Sequence, residues 1–181
     1  MILLARHGRT AYNDEGRFQG HRPVPLDEHG RAQGFALSQA IVARGDVDRI
    51  VASPLTRALE TAAIVAAATG LAPEVDPRLA ETDCGDWTGR TYAEVIAEDP
   101  EGYDAYRRLD LDYAAPGGET FAHQLDAVLA AIADVRAADE RRDGGATLVV
   151  CHRNVLRLLL RHERGSAPGH DEIDNGQLEV L

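Results

Sequence analysis

A histidine between arginine and glycine, Arg6-His7-Gly8, follows directly on a short apolar run, Ile2-Leu3-Leu4-Ala5. A neutral imidazole is a capable nucleophile toward phosphorus. It forms a phosphoramidate that water can later cleave, dividing one hard displacement into two easier ones. The transferring phosphoryl group carries diffuse negative charge, so the chemistry also needs fixed cations and hydrogen-bond donors around the phosphorus. Two other places in the chain offer them. Ile50-Val51-Ala52 leads into Ser53-Pro54-Leu55-Thr56-Arg57, and Leu148-Val149-Val150-Cys151 leads into His152-Arg153. Arg57 falls early in a helix, where the macrodipole disfavours a cation, and an anion bound nearby would offset that.

Each apolar run is short and ends where charge or glycine begins, as expected of buried parallel strands. Ligands bind at the carboxyl edge of such strands, so three edges bring polar groups to one rim. Between them the chain alternates strand and helix. Ser53 with Pro54 reads as N-cap and first position of a helix that runs through Ala67 and stops at Gly70. Asp27 to Arg44 reads the same way. Phe121, Leu125, Val128, Leu129, Ile132 and Val135 fall at helical spacing and place a long amphipathic helix over 119–138. Residues 153–163 continue as a helix, and Gln177 to Leu181 form a last strand. The stretch 99–118, rich in glycine, proline and tyrosine, interrupts the alternation and is a candidate partial lid.

The 181 residues fit one domain, 1–181, with a core of ordinary size. The start is not signal-like and no apolar stretch approaches a membrane span, so the expected location is the cytoplasm, with no membrane partner. A net charge of -11 disfavours nucleic acid as a partner. Cys84 and Cys151 give neither a disulfide framework nor zinc spacing. His21, His29, His123, His162 and His170 lack metal-ligand spacing and read as surface or loop residues, so neither a metal nor a cofactor is expected.

Four segments carry a family resemblance. Leu4 to Asn13, with Phe18-Gln19-Gly20 and Pro25 to Gly30, is similar to the opening of the histidine phosphatase superfamily, the phosphoglycerate-mutase-like proteins. Ala52 to Ala62 resembles its second motif, Leu79 to Gly89 its third, and Val150-Cys151-His152 its fourth. The resemblance implies an α/β three-layer sandwich with a mostly parallel sheet and helices on both faces. It implies a phosphomonoester hydrolase acting on a small phosphorylated metabolite through a phosphohistidine. His7 is then the nucleophile, Arg6, Arg57 and a protonated His152 hold the phosphoryl group, and Glu81 moves the proton. Asn13, Gln19 and Gly20 match the remaining phosphate-pocket positions.

The chain departs from the family pattern at two points. Arg153 stands where the family has glycine, and either enters the pocket to bind a second anionic group or points outward. His21-Arg22-Pro23-Val24 replaces an acidic position near the mouth. Two other functions compete with hydrolysis, mutase-type phosphoryl transfer and a non-catalytic module that holds a phosphorylated ligand. The family's mutases are longer, with a tail over the site, which favours hydrolysis here. Cys151 and Arg157 have the spacing of the cysteine-dependent tyrosine phosphatases. That reading requires a glycine-rich loop between them, where Val155 and Leu156 stand instead.

Overall fold

The structure is a computed structural model that describes residues 1–142 and 144–181. Five strands, β1 (Ile2–Arg6), β2 (Val47–Ala52), β3 (Pro73–Val75), β4 (Ala146–Cys151) and β5 (Leu178–Val180), form one sheet in the order β3-β2-β4-β1-β5. All neighbours are parallel except β5, which lies antiparallel to β1 at one edge. Pro73 sits in the other edge strand, where its missing N–H costs no ladder bond.

Among the described residues seven α-helices accompany the sheet: α1 (Ala11–Asp14), α2 (Glu28–Arg44), α3 (Thr56–Thr69), α4 (Tyr92–Glu98), α5 (Pro100–Arg108), α6 (Phe121–Glu140) and α7 (Arg153–Arg164). Side chains alternate across each strand, and the alternation sorts the helices into layers. Ile2, Leu4, Val149 and Cys151 point to one face and pack against Val128, Ile132 and Val135 of α6 and Val155, Leu156 and Leu159 of α7. Leu3, Ala5, Leu148 and Val150 point to the other and meet Leu37 and Ile41 of α2 with Ala58, Ala62 and Val65 of α3. The expected α/β sandwich is therefore present, with β1 and β4 at its centre buried on both faces. Among the described residues no helix is long and apolar enough to cross a membrane.

Three local expectations need correction. The helix after β2 starts at Thr56, not at a Ser53 cap, and its N-cap Leu55 makes no side-chain bond. Residues 99–118 do not simply interrupt the pattern. They contain α5, and Tyr106, Leu109 and Ala115 are buried with Phe18, Trp87 and Phe121 in a third, aromatic cluster beside the sheet's carboxyl edge. The third is His170, grouped with surface or loop residues, which lies in the loop after α7 but is only 3% exposed.

Candidate active site

Register places the two key histidines side by side. Arg6 of β1 pairs with Cys151 of β4, so the next residues, His7 and His152, leave adjacent strands at the same level. Their rings stand 5.1 Å apart, inclined at 56°. Nδ1 of His7 lies 2.7 Å from the Gly8 carbonyl oxygen, which can only accept, so Nδ1 carries the proton and Nε2 keeps its lone pair. Nε of Arg57 donates toward that Nε2 at 3.2 Å. Thr61, one turn further along α3, accepts from the Gly8 N–H at 3.0 Å and ties the loop to the helix.

Arg57 is 1% exposed, and its other donors meet the carbonyl oxygens of Gly20 at 3.0 Å and Arg22 at 3.3 Å. Gly20 has φ +48°, a left-handed angle that favours glycine, and so turns its carbonyl onto the guanidinium. Arg6 donates to the Ile173 carbonyl at 2.5 Å. Burial and the field of Arg153 lower its pKa to about 9, which leaves it charged at neutral pH. Burial and the two guanidiniums, Arg57 ahead of Arg6, push His7 well below the ordinary imidazole value, and burial followed by Arg57 does the same to His152. His152 is accordingly neutral at pH 7, whereas the role read from the sequence assumes a protonated ring.

A neutral His152 still serves as a donor because of Ser53. Its hydroxyl lies 2.6 Å from His152 Nε2 and accepts from the Leu55 N–H at 3.3 Å, leaving its own proton for the ring. Nδ1 then holds the imidazole proton, and it is buried with no protein partner among the described residues. Ser53 is thus a site residue that sequence reasoning placed in a helix cap. Its signal, a polar residue directly after β2, was visible.

Glu81 reaches the same rim from a different direction. One carboxylate oxygen accepts from the Thr82 N–H at 3.0 Å, and the other lies 3.4 Å from the Asn154 N–H in the first turn of α7. Behind it, Asn154 donates to Thr82 Oγ1 at 3.3 Å and to the Tyr106 hydroxyl at 2.7 Å, with Thr82 in turn on Gln124. His21 donates to the Glu81 carbonyl at 2.7 Å and draws the 18–22 loop against it.

Asn13 and Gln19 both aim their side-chain oxygens at Thr10, at 3.1 and 2.9 Å. Asn175, absent from the sequence reading, donates to the His7 carbonyl at 3.0 Å and to Asn13 at 3.3 Å. Arg153 is half-buried and donates to the Tyr92 hydroxyl at 2.9 Å, so it lies along a wall. Cys151 is fully buried between strands, and burial raises its thiol pKa further. Residues 153–164 form α7, so no phosphate loop joins Cys151 to Arg157. Among the described residues no group of three or more His, Cys, Asp or Glu is placed to hold a metal ion.

The sequence model of the histidine phosphatase superfamily (branch 1) matches residues 2–181. A bifunctional protein of Mycobacterium tuberculosis is 37% identical over 164 residues, 88% of this chain and 43% of its own length. The chain therefore spans less than half of that relative. A glucosyl-3-phosphoglycerate phosphatase of M. tuberculosis is 37% identical over 164 residues, 87% of this chain and 72% of its own. The solved mycobacterial glucosyl-3-phosphoglycerate phosphatase in complex with VO3 has a TM-score of 0.84 at 30% identity, covering 98% of this chain and 90% of that one.

Two outcomes follow from the histidine environments. Unfolded histidines take up protons near pH 6.5, whereas folded His7 and His152 do so only well below it. Stability should be unaffected above that value and fall as pH drops beneath it, by about 1.4 kcal/mol per pH unit for each group. Urea unfolding at pH 7.5, 6 and 5 reads this, and a flat profile would contradict the shifts. Nitrogen-15 spectra should also show His152 as the single Nδ1–H tautomer at pH 7. Ser53→Ala should yield a tautomer mixture, and Ser53→Thr should restore the single form.

Proposed function

The chain belongs to the histidine phosphatase superfamily, and from that premise we propose that it is a phosphomonoester hydrolase with Nε2 of His7 as nucleophile. The observation that carries this reading is the pairing of a buried, neutral His7, its lone pair fixed by the Gly8 carbonyl, with a guanidinium beside it. In the first step Nε2 bonds to phosphorus as the ester P–O bond breaks, and the departing oxygen takes its proton from the Glu81 carboxyl group. In the second, Glu81 takes a proton from water as that water attacks phosphorus and the P–N bond breaks. Arg6, Arg57 and the Nδ1–H of His152 surround the phosphoryl oxygens, where charge is greatest in each transition state. The NH2 groups of Asn13 and Gln19 add neutral donors.

The proposed substrate is a small metabolite that carries a second anionic group beside its phosphate ester. Arg153, bonded to Tyr92 and close enough to lower the pKa of Arg6, would be the cation that meets it. The similar glucosyl-3-phosphoglycerate phosphatase supports this class, since its named substrate combines a phosphate with a glycerate carboxylate.

Rapid mixing with a labelled phosphomonoester should leave acid-labile, alkali-stable phosphate on His7, and His7→Ala should form none. Glu81→Gln should slow phosphoenzyme formation from alkyl phosphates by about 10²- to 10⁴-fold. It should affect p-nitrophenyl phosphate less, because nitrophenolate leaves without a proton. A His7→Ala protein of undiminished activity would sink the nucleophile assignment.

Arg153→Gly should weaken kcat/KM for doubly anionic esters by about 1.5 to 3 kcal/mol, the range for hydrogen bonds to charged groups. Esters with a single anionic group should lose less. Equal losses for the two classes would remove Arg153 from substrate selection.

A further inference from the structure

Both oxygens of the Glu81 carboxylate accept from backbone N–H groups, and those groups belong to Thr82 and Asn154, whose side chains turn away from it into the core. The two side chains meet there, with Asn154 Nδ2 donating to Thr82 Oγ1 at 3.3 Å. Gln124 of α6 completes the cluster. Its Nε2 donates to the Ala80 carbonyl at 3.1 Å and its Oε1 bonds to the Thr82 hydroxyl, so one side chain grips the residues on either side of Glu81. Thr82, Gln124, Asn154 and Tyr106 are all buried, which keeps bulk water from competing for these bonds.

A single backbone carbonyl fixes every proton in this cluster. The Ala80 carbonyl can only accept, so the Gln124 NH2 faces it and Oε1 is left for Thr82. That oxygen can only accept as well, so the one hydroxyl proton of Thr82 goes to Gln124. Thr82 Oγ1 is then an acceptor, and it takes one N–H from Asn154, whose Nδ2 also donates to the Tyr106 hydroxyl at 2.7 Å. The consequence falls on Glu81. Its Oε1 lies 3.5 Å from Thr82 Oγ1, near enough to receive the hydroxyl proton if Gln124 did not hold it. A donor in that position binds the ionised carboxylate better than the carboxyl group, and so favours loss of the proton.

We propose that Gln124 is a positioning residue that acts through Thr82, drawing its hydroxyl proton away from Glu81 so that the carboxyl group keeps the proton it delivers to the leaving group. The inference rests on the hydrolase reading with Glu81 as proton donor.

Phosphoenzyme formation, followed by rapid mixing with an alkyl phosphate and with p-nitrophenyl phosphate, tests it, because only the alkyl ester needs the Glu81 proton. Gln124→Met, close to glutamine in shape, frees the Thr82 hydroxyl and should slow the alkyl ester by about three- to tenfold, the effect of one net hydrogen bond. The rate with p-nitrophenyl phosphate should stay nearly unchanged. Adding Thr82→Val to Gln124→Met should restore the alkyl rate, although it removes a further bond from the cluster. Thr82→Val alone should keep the ratio of the two rates, and this arm decides the matter if Gln124→Met fails to fold. Equal slowing of both esters by Gln124→Met, a double variant no faster than Gln124→Met on the alkyl ester, or a changed ratio in Thr82→Val would each overturn the proposal. Glu81→Gln separates this from the hydrolase reading: if its effect does not depend on the leaving group, Glu81 is not the proton donor and the inference falls with that assignment.

Discussion

Two guanidinium groups are buried at the rim that carries His7 and His152, with only neutral hydrogen-bond partners. Arg57 is held by the carbonyls of Gly20 and Arg22 and faces His7, and Arg6 is held by the carbonyl of Ile173. Removing a charge from water costs several kcal/mol even after relaxation, and a carboxylate partner would recover part of that. Such a partner would also cancel the field that a phosphoryl group needs. Carbonyl dipoles satisfy the N–H groups while leaving the net charge available. Burial and then that same field keep His7 neutral, and only the neutral ring has a lone pair to give.

Much of the surrounding chain serves to keep those carbonyls in place. The 18–22 loop is anchored by Phe18, whose ring packs within 5.2 Å of Trp87, Tyr92 and Tyr106. A Cβ at Gly20 would lie 2.7 Å from Thr88 Oγ1, so that segment of the third motif also limits what residue 20 can be. On the opposite side, the chain leading into β5 supplies Ile173 for Arg6 and Asn175 for His7, while the Gly176 N–H donates to the Arg6 carbonyl at 3.0 Å. The antiparallel edge strand is therefore more than sheet closure, because it fixes the segment that holds Arg6.

The legible parts of this protein were those written in contiguous residues. Apolar runs ending at His7, Arg57 and His152 gave three strands and a common rim, and helical spacing gave α6 within two residues at each end. Glu81 was legible only through the family resemblance, since nothing local marks a carboxylate for proton transfer. What could not be read depends on long-range geometry. Ser53 looked like a cap until β4 brought His152 beside it, 99 residues away. Asn175 lies 168 residues from the backbone it supports. The neutrality of His152 is a property of burial and neighbouring charge, and neither is visible in a residue's type.

Helix α7 links these themes. Arg153, Arg157 and Arg161 are spaced four apart and form a stripe of like charge along one face, an arrangement that destabilises a helix by a few tenths of a kcal/mol per pair. Each is anchored by neutral acceptors, the Tyr92 hydroxyl for the first and backbone carbonyls for the others. The solution found for Arg6 and Arg57 is thus repeated over two further turns, in a chain whose net charge is -11. Acidic residues elsewhere repel anions at long range, but over distances beyond a Debye length of about 8 Å that repulsion is largely screened at physiological salt. Buried guanidiniums are screened much less. An acidic protein can therefore keep a stripe of positive charge along a single helix, provided that neutral acceptors and not carboxylates hold the arginines.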